Sequence, residues 1–207
     1  IAEELNVMAT IDKLILEQSL AALGRWDAMG LVVPRASVNV SLRRLHDEEL
    51  ITSLRRLDIT PGRVSFELVE SIYLDDSDDT VSWNIDQIKE LGIDVEIDDF
   101  GTGHSTLIRL KQCPSDYLKI DRTFIQDLPE DLDDLVITKT ILSLGQSLGQ
   151  KVIAEGIETA DQAELLRRLG CDIGQGYFFS RPLSYNQLVG YLENYAEGKQ
   201  KASWLVV

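Results

Sequence analysis

IDDFGTGHSTL, Ile97 to Leu107, ends an apolar run with two adjacent aspartates and continues into a loop with two glycines and three hydroxyl residues. Taken alone, Asp98 and Asp99 fit a solvated turn as well as they fit a metal site. The pattern around them has to decide. The run that leads into them, DVEIDDF (Asp94–Phe100), reads as a strand, and five more strand candidates lie along the chain: ASVNVS, RVSFELVE, YLKID, KVIAEG and GQGYFFS. Between them run helical stripes at Leu16, Leu20 and Leu23, at Val81, Ile85 and Ile88 before Gly92, and at Ile137, Ile141, Leu144 and Leu148 before Gly149. Thr159 followed by Gln162 has the form of a capping box opening a helix that ends at Gly170. Strand alternating with helix in this way implies a parallel sheet with helices on its faces.

Each strand candidate carries polar residues near its C-terminal end: Asn39, then Glu67 and Glu70, Asp98 and Asp99, Lys119 and Asp121, Glu155 and Glu158, and Gln175. In a (β/α)8 barrel the C-terminal strand ends share one face, where active sites are built. Six scattered signals then become one cluster. Asn39, Glu67, Asp98, Asp99 and Glu155 are hard oxygen donors, which suit magnesium or manganese better than zinc. So many carboxylates without cations would repel one another and raise their own pKa values. One divalent ion or a pair relieves that repulsion, and a pair can activate water and stabilise the oxygens of a phosphodiester during hydrolysis. Lys119, set among the acids, is the kind of group that pairs with phosphate or orients water. A Schiff-base lysine of the aldolase type is the rival from another enzyme class, although that chemistry favours a desolvated lysine or one beside a second cation.

Each residue also has a plainer reading as a strand-end hydrogen bonder, a helix start or a surface charge. The functional case rests on their joint occurrence. His46 and His104 have no partner at ligand spacing, and Trp26, Trp83 and Trp204 lie too far apart for a stacking platform and read as packing residues. DFG without a glycine-rich phosphate loop, HRD or APE is not a kinase signature, and GTGHST lacks the lysine of a P-loop. The acidic runs LDDSDD and PEDLDD read as solvated loops and helix starts.

The whole sequence sets outer bounds on these readings. Its 207 residues suit a single domain over 1–207, with 44% hydrophobic and 27% charged residues, as in an ordinary globular protein. A formal charge of -15 argues against binding a DNA or RNA polymer through its backbone. No apolar run approaches the roughly 18 residues that span a bilayer, so no membrane segment is expected. Cys113 and Cys171 form no metal-like cluster and suit a reducing, cytoplasmic compartment.

Through VNVS, FELVE, IDDFGTGHSTL, LKIDRTFI, VIAEGIET and LGCDIGQGYFFSRPL, in that order and nearly end to end, the sequence resembles the EAL domains of bacterial cyclic di-GMP signalling. The resemblance implies a TIM-type (β/α)8 barrel of the EAL kind whose first strand runs antiparallel to the rest. It also implies hydrolysis of cyclic di-GMP to linear pGpG with Mg2+ or Mn2+, two ions in all. By position, Asn39, Glu67 and Asp98 match ligands of one metal, with Asp98 bridging to a second. Asp99 and Glu155 match residues at that second metal and its water. Lys119 matches the lysine beside the water and the scissile phosphate, Gln175 a polar group lining the substrate site, and Glu158 a further functional acid. Glu70 matches a glutamate that steadies the loop after Asp99, a loop the family also uses in coupling its homodimers. Histidine stands at 104, where the family usually has an aromatic residue.

One departure is larger. The Glu-Ala-Leu strand that names the family, with its metal-binding glutamate and the following substrate-binding arginine, is not found. AALGRW (Ala21–Trp26) lies in helical sequence only 13 residues before Asn39. The expectation is therefore a domain lacking its first two strands, in a protein that continues upstream, where relatives carry a sensory or GGDEF domain. A catalytically inactive EAL-like receptor for cyclic di-GMP, or a protein-interaction module, is the alternative. The filled acidic positions favour a hydrolase.

Overall fold

The computed structural model describes residues 8–70, 79–103, 110 and 114–196. Helix α1 (Met8–Ala28) leads into β1 (Ala36–Asn39), and two short helices, α2 (Leu42–Leu45) and α3 (Leu50–Leu54), return the chain to β2 (Val64–Val69). Then follow α4 (Asp79–Glu90), β3 (Asp94–Phe100), β4 (Tyr117–Ile120), a 3-10 turn (Arg122–Phe124), α5 (Leu132–Leu148), β5 (Lys151–Ala154), α6 (Ala160–Arg168), β6 (Ile173–Gly174) and α7 (Tyr185–Ala196). The six strands are all parallel and pair in sequence order, β1-β2-β3-β4-β5-β6. A doubly wound sheet would reverse its order at a switch point. An unreversed order is that of a (β/α)8 barrel, and six strands of such a barrel are present among the described residues.

Side-chain alternation along the strands separates two environments. One face carries Val38, Val64, Phe66, Leu68, Val95, Ile97, Leu118, Ile120, Val152 and Ala154, all buried against the helices. Two apolar clusters meet at β3. The first joins β1 and β2 to α1, α3 and α4 through Leu16, Leu23, Leu50, Leu54, Ile85 and Ile88. The second joins β4 and β5 to α5 and α6 through Ile141, Leu142, Ala163 and Leu166.

The opposite face is strongly polar. Glu96, only 1% exposed, accepts a hydrogen bond from Ser37 Oγ (3.0 Å) and pairs with Arg35 Nη2 (2.9 Å). The Arg35 guanidinium lies 3.9 Å above the centre of the Tyr117 ring.

The helix boundaries follow local chemistry. Both halves of the Thr159/Gln162 capping box are formed at the start of α6. Asp131, in the PEDLDD run, caps α5 by accepting from the Asp133 and Asp134 amides, and Gly149 ends that helix in the left-handed conformation.

Three expectations change. The buried stripe of α5 runs through Thr138, Ile141, Leu142 and Gly145, which leaves Ile137 exposed. Gly145 has this place because a Cβ there would lie 2.4 Å from Val152 Cγ2, so the helix packs directly on β5. Trp83 is exposed, whereas Trp26 is buried and stacks on Tyr185; Trp204 lies outside the described residues. GQGYFFS is not a strand. The ladder ends at Gly174, and the chain turns at Gly176, where a Cβ would lie 2.2 Å from the Ile157 carbonyl oxygen. His46 is exposed, Cys171 is buried, and His104 and Cys113 fall outside the described residues.

Candidate metal and active site

Strands β1 to β6 deliver their C-terminal ends to one edge of the sheet, and register decides which side chains meet there. Asn39 stands opposite Glu67 on the neighbouring strand. Beyond the regular ladder, Glu155 N donates to Ile120 O (3.2 Å) and Gln175 N to Ala154 O (2.9 Å), which extends the alignment by one residue on each strand.

At the centre is Lys119 on β4, its side chain 3% exposed. Its Nζ touches Glu67 Oε2 of β2 at 3.0 Å, Asp98 Oδ1 of β3 at 2.9 Å and Glu155 Oε1 beyond β5 at 2.7 Å. Residues distant in sequence thus share one ammonium group.

Strand β3 contains the local device that makes two adjacent aspartates useful. Ile97 pairs with Leu118 but Phe100 with Ile120, so β3 spends one more residue than β4 over this stretch. Asp99 lies within this bulge at φ 54°, a left-handed conformation for which no glycine is supplied. In a regular strand, Asp98 and Asp99 would point to opposite faces. Here their carboxylate oxygens and one of Glu155 all lie within 4.8 Å of one another.

The electrostatics show an excess of negative charge. Burial raises the Glu67 pKa, against the pull of Lys119, and Glu96 and Asp98 add to the rise. Burial likewise raises Glu155 against Lys119, with Asp98 and Asp99 contributing. Burial raises Asp99, and the negative charge of Asp98 and the neighbouring Asp121 carboxylate add to the rise. Lys119 behaves in the opposite sense. Burial would lower its pKa, but Glu67, Glu155 and Asp98 outweigh burial and hold it well above the ordinary lysine value. One ammonium, firmly charged, is therefore insufficient for the acids around it. An all-oxygen donor set with this surplus charge fits a hard divalent cation.

The remaining candidates occupy the margins. Asn39 and Gln175 are exposed at their strand ends, and Glu158 is exposed on the turn between β5 and α6, outside the carboxylates that touch Lys119. Glu70, buried just past β2, accepts from the amides of Gly101 (3.0 Å) and Gly103 (3.2 Å), and so holds the first part of the loop after Asp99. Asp121 was visible as a strand-end acid but had no role assigned from sequence. Spacing two residues beyond Lys119 was the available signal, since i and i+2 share a strand face. Thr123 donates to Asp121 Oδ1 through both N (2.8 Å) and Oγ1 (2.5 Å). Arg35 and Glu96, beneath the site, were not singled out from the sequence. For Glu96 the signal was a charge between the apolar residues Val95 and Ile97 of β3; Arg35 stands just ahead of β1.

Residues 1–182 match the EAL domain family model. The chain is 35% identical over 193 residues to the bifunctional diguanylate cyclase/cyclic di-GMP phosphodiesterase MucR of Pseudomonas aeruginosa, covering 91% of this chain and 28% of that protein. It therefore spans less than a third of the length of that relative. Among solved structures, the PaMucR phosphodiesterase in complex with c-di-GMP superposes with a TM-score of 0.83 at 36% identity, covering 90% of this chain and 77% of that one. The Klebsiella pneumoniae BlrP1 manganese/cy-diGMP complex gives a TM-score of 0.74 at 25% identity, covering 86% and 45%.

Proposed function

Since the chain belongs to the EAL-domain family, we propose that it hydrolyses cyclic di-GMP to linear pGpG, assisted by two divalent ions, magnesium or manganese. The observation that carries this reading is the meeting of Glu67, Asp98 and Glu155 from three separate segments on the one Lys119 ammonium. Relatives named as cyclic di-GMP phosphodiesterases, and structural neighbours in complex with that nucleotide, one of them together with manganese, support it.

Asn39, Glu67 and Asp98 would hold one ion, and Asp98, Asp99 and Glu155 the other. Such ions, when bound, lower the pKa of a coordinated water and offset charge on phosphate oxygens. The other tasks fall to this chain's own groups. Lys119, kept protonated by its acidic neighbours, supplies a fixed positive charge and hydrogen-bond donors to the water and the scissile phosphate. Glu155 and Glu158 are the carboxylates available to accept and return protons. Gln175, exposed beside Glu155, offers an amide to the substrate at the mouth. Glu70 keeps the backbone at Gly101 and Gly103 in place. In the reaction, a water oxygen bonds to phosphorus, the bond from phosphorus to the 3′-oxygen breaks, and that oxygen takes up a proton. The ring opens to a dinucleotide with a 5′-phosphate.

The test is turnover of cyclic di-GMP by the full-length protein with Mg2+ or Mn2+, read as pGpG by chromatography. Asp98→Asn and Glu155→Gln abolish product while leaving the fold intact. Nucleotide binding without product, unaffected by Asp98→Asn, would instead identify a receptor that senses the nucleotide.

A further inference from the structure

We infer that Gln162 is a positioning residue for this site: its side-chain amide locks the turn that carries Glu155 and Glu158 to the segment that follows Lys119. The inference rests on the hydrolase reading above.

Gln162 lies in the first turn of α6 and is 3% exposed. Its Oε1 accepts from the amides of Glu158 (2.8 Å) and Thr159 (3.0 Å), and its backbone amide donates to Thr159 Oγ1 (3.2 Å). These bonds cap the helix. The other half of the amide has no part in capping. Nε2 donates to the carbonyls of Ile125 (3.1 Å) and Gln126 (3.0 Å), on the chain that leaves β4 through the 3-10 turn. Every hydrogen-bonding direction of a buried primary amide is therefore used, half on one loop and half on the other.

A second contact joins the same two segments nearer the site. Gly156 has φ 69°, and a Cβ there would lie 2.5 Å from Arg122 Cβ, so the turn is pressed against the residue three positions beyond Lys119. Glu155 adjoins this contact and Glu158 adjoins the amide bridge. The spacing between the β4 and β5 loops thereby sets the 2.7 Å approach of Glu155 Oε1 to Lys119 Nζ. Catalytic geometry is sensitive to shifts on the order of 1 Å, which can cost about 100-fold in rate.

Two substitutions separate capping from bridging. Gln162→Glu keeps an oxygen acceptor for the Glu158 and Thr159 amides but loses the donor to Ile125 and Gln126. Thr159→Ala removes the cap's hydroxyl and leaves the bridge. In the full-length protein at saturating metal, Gln162→Glu is expected to lower kcat by roughly 10- to 100-fold, with KM for cyclic di-GMP within about twofold. Thr159→Ala is expected to lower Tm while kcat stays within about twofold of wild type. Equal kcat in wild type and Gln162→Glu, with any change confined to Tm, would overturn the inference. Should Gln162→Glu fail to fold, Gln162→Met, which adds no charge and removes the bridge together with the Oε1 part of the cap, is judged by the same threshold, with Thr159→Ala as the control for weakened capping. A wild-type protein that releases no pGpG would instead overturn the hydrolase reading, a result read before any variant is compared.

Discussion

Replacing Lys119 by methionine puts the largest electrostatic load on this structure. The substitution conserves most of the buried stem and removes the ammonium that lies within 3.0 Å of Glu67, Asp98 and Glu155. Removing one partner from a buried ion pair costs about 3–5 kcal/mol, because the remaining charge is left in a poorly solvated place. For a domain of this size that is a fall in Tm on the order of 6–20 °C. The cost has a pH signature. Burial already raises the Glu67 and Glu155 pKa values with Lys119 present, and its removal raises them further. A carboxyl group whose folded pKa lies above its unfolded value contributes stability at low pH and loses it as pH rises through the folded pKa. Metal-free Lys119→Met is therefore expected to be nearest to wild type at acid pH and to fall behind as pH rises from acid to mildly alkaline. Added Mn2+ should stabilise the variant more than the wild type, since it replaces a missing cation. Urea denaturation with and without Mn2+, at several pH values, reads all three effects. A metal-free variant within about 0.5 kcal/mol of wild type across that range, unaffected by pH, would refute the claim that these carboxylates depend on Lys119.

Gly145→Ala forces a methyl group to 2.4 Å from Val152 Cγ2 at the contact of α5 with β5. Overpacking there outweighs the gain in helix propensity, and denaturant titration should show a loss of about 1–3 kcal/mol. Cys171, buried, has its thiol pKa pushed from 9.0 up to about 12, chiefly by desolvation. The unfolded chain releases this proton first, so stability falls between about pH 9 and pH 12 by up to about 1.4 kcal/mol per pH unit. Alkaline denaturation of Cys171→Ala should lack that part of the slope, and an identical slope in both proteins would contradict it.

The order of elements was legible because each strand presents apolar residues at alternate positions toward the helices, as in Val64, Phe66 and Leu68, and because Gly92 and Gly149 mark helix ends. The residues at the site were legible as polar side chains at strand ends. Their arrangement was less so. Period-two alternation sends Asp98 and Asp99 to opposite faces, and the bulge that reunites them carries no glycine to announce it. The last strand was misplaced because GQGYFFS has strand-like composition, while the contact of Gly176 with the Ile157 backbone, which turns the chain, joins residues far apart in sequence. Gln162 was recognisable as a cap from its spacing to Thr159. Its bridge to Ile125 and Gln126 is a tertiary contact with no local pattern.

The gathered carboxylates are expected to bind divalent cations together. Anomalous diffraction from crystals of the protein grown with manganese measures this directly. Peaks are expected among the side chains of Asp98, Asp99 and Glu155, with Glu67 and Asn39 turned toward the same place. Manganese bound elsewhere, with Glu67, Asp98 and Glu155 directed to separate regions of the molecule, would contradict it.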